Sequence, residues 1–166
     1  ESSQPLASDA GLTVLKNGGN AVDAAVAMAA CLAVTEPCST GIGGDAFLLF
    51  FDAASGEVRS LNGSGRSAKQ SSLEEVRKTQ FDETSTNWSK STNGQAVTVP
   101  GAVDAWECAI KKWGTMAFSD VLKPAIQLAE EGFPVAPKTA WFWQMEEPKL
   151  MIFVQKDLSV IKWELL

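Results

Sequence analysis

The chain has 166 residues, 45% of them apolar and 20% charged, enough for one globular core and too apolar for wholesale disorder. Its formal net charge of −6, with only Arg59, Arg66 and Arg77 as arginines and no basic stripe, argues against a nucleic-acid partner. Histidine is absent, which removes the commonest metal ligand and the commonest general base together, so neither a metal nor another cofactor is expected.

In chain order, residues 6–16 are expected to form the first helix. Ser3 or Ser8 offers a cap, Leu6, Ala10, Val14 and Leu15 give an apolar stripe, and Asn17-Gly18-Gly19 stops it. A second helix starts at Asn20, a good N-cap residue, and Asp23 three positions on complements the positive helix end. Residues 24–33 are small and apolar on nearly every face, which assigns that helix to the core. The glycine-rich turn at 39–45 feeds an apolar run at 46–51, read as a buried strand. Residues 52–56 connect it to a returning strand at 57–61, and a second glycine-rich turn follows at 62–67.

Residues 72–76 suggest a short capped helix, and 82–94, rich in Thr, Ser and Asn, an exposed loop. A short strand at 96–99 ends at Pro100-Gly101. Helices are expected at 102–113, 118–129 and 138–146, the last ahead of Pro148. Trp106, Trp113, Trp141 and Trp143 fall at near-helical spacings and are read as packing residues. Cys31 and Cys108 read as small buried residues and Cys38, beside Pro37, as the more exposed one. Without a histidine, a Cys–His hydrolase is excluded. No segment reaches the roughly 18–20 continuous apolar residues of a membrane span, and no pattern assigns a compartment.

Gly41-Ile42-Gly43-Gly44 follows a helix and precedes a strand, the reverse of a dinucleotide-binding loop, and no Gly-Lys-Ser/Thr follows it. It reads either as a tight turn or as backbone lying against a ligand. Asp45, at the strand entrance, is expected to cap that turn; orienting a site loop is the alternative.

Several phrases occur together and in order: Gly18-Gly19-Asn20-Ala21-Val22-Asp23-Ala24-Ala25, then Thr35-Glu36-Pro37 with the glycine turn. Thr98-Val99-Pro100-Gly101-Ala102-Val103 and Trp113-Gly114-Thr115-Met116 follow, then a run from Pro124 ending in Ala129-x-x-Gly132-Phe133. Over roughly residues 3–150 the chain thereby resembles the γ-glutamyltranspeptidase family. Residues 1–150 are read as the N-terminal part of such a large subunit, and 151–166 as a divergent tail with no assigned domain.

The resemblance implies an N-terminal nucleophile hydrolase with an α/β/β/α sandwich, here a truncated α/β fold. It implies a precursor that cleaves itself. The new N-terminal Thr then attacks a γ-glutamyl amide, and the acyl group passes to water or an amino acid. A hydroxyl nucleophile needs a nearby base, and a freshly exposed α-amine supplies one without histidine. The resemblance places that Thr beyond residue 166, so no catalytic residue is assigned within the chain. The implied partners are the missing C-terminal small subunit and a γ-glutamyl or related amide substrate. The alternatives are a catalytically inactive truncated product with at most a binding role, and a small α/β module whose glycine loops hold an anion.

Glutathione-cleaving members carry an arginine that grips the substrate α-carboxylate, and alignment of the loop puts that position at Gly63. The loop here reads Asn62-Gly63-Ser64-Gly65-Arg66, as in the transpeptidase-like and cephalosporin-acylase-like branch. Arg66 is therefore the candidate substrate-binding residue, since a guanidinium forks well onto a carboxylate. Its alternative reading is a surface ion-pair partner.

Overall fold

The computed structural model describes residues 1–74 and 97–154. Helix α1 (Pro5–Lys16) starts on a proline, whose fixed φ and missing N–H suit a first helical position. Neither expected serine caps it. The Ser3 hydroxyl donates to Glu36 Oε2 at 2.5 Å, and those of Ser2 and Ser8 bond each other at 2.9 Å. Helix α2 (Ala21–Thr35) packs along α1 and carries the expected cap in full. Asn20 Oδ1 accepts the N–H groups of Val22 at 2.9 Å and Asp23 at 3.1 Å, while Asp23 Oδ2 accepts that of Asn20 at 2.8 Å.

Strands β1 (Ala46–Asp52) and β2 (Glu57–Gly63) pair antiparallel, in a register running from Ala46 opposite Gly63 to Asp52 opposite Glu57. Asp52 organises the turn between them. Its carboxylate accepts Ala54 N–H at 3.0 Å and the Ser55 hydroxyl at 2.8 Å, and Gly56 takes φ 71°, a left-handed conformation that suits glycine. Three helices follow: α3 (Ala102–Trp113), α4 (Phe118–Glu131) and α5 (Pro137–Val154).

The sheet lays one face on the helices. Leu48, Phe50 and Leu61 meet a core of Val14, Val22, Val26, Ala27, Ile110 and Val121, with Phe50 tilted against Trp113 at 6.1 Å. A second cluster, Ala7, Ala10, Ala30, Cys31 and Ala125, joins α1, α2 and α4. The small side chains of α2 let it sit between both clusters. Its Ala21, Ala25, Ala29 and Leu32 line a trough of about 670 Å³ beside β1, which Asp45 and Thr40 also reach.

Several expectations need correction. Strand β1 is covered on one face only: Phe47, Leu49 and Phe51 are 68%, 80% and 62% exposed, because side chains alternate across a strand and the described helices cover one side of it. Residues 97–100 run irregularly and form no strand among the described residues; a backbone bond, Val99 N–H to the Arg66 carbonyl at 2.9 Å, ties them to the second turn. The last helix, expected to end ahead of Pro148, passes through it and continues to Val154. Trp141 is exposed, whereas Trp106 and Trp113 pack on the core. The helix expected at 72–76 falls partly, and the loop at 82–94 wholly, outside the described residues.

Candidate functional site

Three loops converge where β1 begins and β2 ends: residues 40–45, 62–66 and 98–101. Backbone holds them first. The Gly44 carbonyl accepts the N–H groups of Gly101 and Ala102, each at 3.0 Å, so the start of α3 is pinned to the entrance of β1. Glycine makes the approach possible. A Cβ at Gly65 would overlap the Val99 carbonyl, and one at Gly101 would overlap the Gly63 carbonyl. One at Gly63 would overlap Ala105 Cβ and lie 2.7 Å from the Ala46 carbonyl oxygen. These are backbone obstacles, which cannot step aside as a long side chain can.

Side chains complete the junction. Asp45 Oδ1 accepts the Gly65 N–H at 2.7 Å and the Thr98 hydroxyl at 3.4 Å. Asp45 thus bridges three loops instead of capping its own turn, the role expected of it. Asn62 Oδ1 accepts the Ser64 N–H at 2.9 Å, an Asx turn that shapes the loop before Gly65.

Gly63, where the arginine of glutathione-cleaving members was aligned, has no room for any side chain. Ser64 and Arg66 are exposed on either side of the buttressed Gly65 amide. The Arg66 side chain takes no ion pair among the described residues; its carbonyl accepts Val99 N–H. The exposed pairs that do form are Arg59–Glu57, Lys111–Glu107 and Lys123–Asp120. The bonds of Asp45 fit the alternative reading, a residue that orients a loop, while Thr98 carried no signal in the sequence because its partner Asp45 lies 53 positions away.

Among the described residues no three Cys, Asp or Glu side chains cluster as metal ligands would. Burial pushes the Cys31 thiol up to about 11, far from a reactive thiolate, and Cys38 is exposed. No described helix is long and apolar enough to cross a membrane. The site as described can bind and orient; it holds no activated nucleophile.

A family model described as gamma-glutamyltranspeptidase matches residues 7–162, reaching past 150 into the tail. The chain is 45% identical over 131 residues to a glutathione hydrolase-like YwrD proenzyme of Bacillus subtilis, covering 79% of this chain and 24% of that protein. It is 40% identical over 159 residues to a glutathione hydrolase proenzyme of the same organism, covering 93% and 26%. A cephalosporin acylase from Bacillus halodurans superposes with a TM-score of 0.79 at 41% identity, over 95% of this chain and 28% of the other. The chain spans about a quarter of the length of these curated relatives.

Proposed function

The chain belongs to the γ-glutamyltranspeptidase family, and on that footing we propose that it supplies the acyl-binding part of an amidohydrolase or acyltransferase acting on γ-glutamyl or related amides. The observation that supports this most directly is the exposed Arg66, without an ion pair among the described residues, on a loop held at Gly63, at the Gly65 N–H and at the Arg66 carbonyl. A loop held at three points presents a cation at little entropic cost, and a guanidinium matches a carboxylate with two parallel hydrogen bonds. The acyl groups that fit are those ending in a carboxylate, γ-glutamyl and glutaryl alike. The Thr nucleophile and its amine lie on the small subunit, which docks against this chain. The helices and the β1–β2 pair form one helical layer and part of one sheet of the four-layer sandwich.

Since Gly63 cannot carry the arginine of the glutathione-cleaving members, the reading places the acid grip on Arg66. In the full-length protein, Arg66→Ala should raise KM for a γ-glutamyl anilide about tenfold while changing kcat less, the pattern of lost ground-state binding. Arg66→Lys should recover part of it. An unchanged KM removes Arg66 from the site; no turnover of γ-glutamyl or glutaryl anilides by the wild-type protein removes the proposed activity.

A further inference from the structure

Asp45 is not needed for the turn it belongs to, since none of its bonds stays within residues 40–45. Its Oδ1 reaches out to the Gly65 N–H at 2.7 Å and the Thr98 hydroxyl at 3.4 Å. Gly65 lies directly between Ser64 and Arg66, and the Arg66 carbonyl takes Val99 N–H at 2.9 Å, one residue beyond Thr98. One carboxylate therefore holds the middle of the 62–66 loop and the segment on which that loop rests. The neighbouring bonds are all backbone–backbone or local: Gly101 and Ala102 to Gly44, and Ser64 to Asn62. Asp45 is the described side chain that ties the loop to the sheet across sequence.

We propose that Asp45 is a positioning residue that sets the preference of this protein for acyl groups ending in a carboxylate, by fixing the Ser64-Gly65-Arg66 segment from behind. This rests on the binding role given to Arg66 above. A charged acceptor on a backbone N–H is a strong tether, and a loop released from it samples several positions, few of which present the guanidinium correctly. The loss would then fall on substrates that have a carboxylate to grip and spare those that do not. A residue that only stabilised the fold would weaken both equally.

The experiment compares glutaryl and butyryl p-nitroanilides, which differ in the terminal carboxylate, on the full-length mature protein. Asp45→Ala should lower kcat/KM for the glutaryl substrate about tenfold, mainly through KM, and leave the butyryl substrate within about twofold. Asp45→Asn, whose amide oxygen can still accept the Gly65 N–H, should restore most of the glutaryl preference. Equal losses on both substrates, or no loss on either, would overturn the proposal while leaving the activity itself intact. A wild-type protein that cleaves neither anilide nor the γ-glutamyl one overturns the underlying reading instead. If Asp45→Ala does not mature, Thr98→Val is read by the same ratio: a smaller loss confined to the glutaryl substrate supports the proposal, and an unchanged ratio opposes it.

Discussion

Asp23 joins parts of the chain 92 positions apart. Besides capping α2, its carboxylate accepts the Thr115 hydroxyl at 2.7 Å and the N–H groups of Thr115 at 3.0 Å and Met116 at 3.4 Å. Asn20 Nδ2 donates to the Trp113 carbonyl at 2.6 Å, closing the same junction. Burial on its own would raise this carboxyl's pKa; the bonds from Asn20, Thr115 and Met116 outweigh it and hold Asp23 below the usual 3.8. A depressed folded pKa adds stability that is complete above the unfolded value and is lost as pH falls through the folded one. Asp23→Asn should therefore flatten the decline in stability below about pH 4 that the wild type shows in acid titrations followed by circular dichroism. Asp23→Ala should cost about 3 kcal/mol at neutral pH, because it strands buried donors and uncaps α2. A urea midpoint left unmoved by that substitution would dismiss the clasp.

At the scale of elements, close approach differs in what blocks it. A Cβ at Gly11 of α1 would lie 2.5 Å from Met28 Cγ and 2.6 Å from its Sδ, atoms of an unbranched side chain on α2, with the nearest backbone, the Ala24 carbonyl oxygen, at 3.3 Å. A Cβ at Gly65 would meet backbone. Gly11→Ala should thus stay within about 1 kcal/mol of wild type, the helix-propensity gain offsetting a small shift of Met28, whereas Gly65→Ala should cost about 1–3 kcal/mol. Comparing the two thermal midpoints checks this; equal losses would mean that helix packing is as rigid as the loop junction. The same contrast explains what the sequence could reveal. The α2 cap was legible because Asn20 and Asp23 stand three apart, and the hairpin because Asp52 and Gly56 mark its turn. For Asp45 the preferred turn-capping reading gives way to the alternative, a loop-orienting residue, because its partners are chosen by how loops converge, a relation that spacing does not encode. Val97 and Val99 suit a strand, yet no described strand pairs with them. Trp141 has helical spacing, but spacing does not say which face of α5 finds a neighbour.

At the scale of the molecule, the described residues bury one face of the sheet and leave the other apolar and bare, with Phe47, Leu49, Phe51 and Val58 all exposed. Such a surface is large for a free-standing protein, and among the described residues β1 pairs with β2 alone, which leaves its other edge open. Residues 1–166 expressed alone should bind a hydrophobic dye strongly and self-associate, and co-expression with the remaining family sequence should suppress both. A monodisperse, dye-silent 166-residue protein would count against a covering layer. The family could be read from residues in several separate segments, while the bare face could be seen only once the strand's alternation had been set against a single layer of helices.

The junction at Asp23 also bears on how the chain is made. Its local half, the reciprocal bonds between Asn20 and Asp23 at the start of α2, can form as soon as the second helix leaves the ribosome. Its distant half waits for Thr115, 92 residues later, which at about 5–20 residues per second is roughly 5–20 s of synthesis. During that interval a carboxylate destined for full burial is still solvated, and the α1–α2 pair must persist without the turn that will lock it. Docking of the Trp113–Met116 turn is then a late event in synthesis, and the N-terminal third of the chain is the stretch a nascent-chain chaperone would have most time to meet.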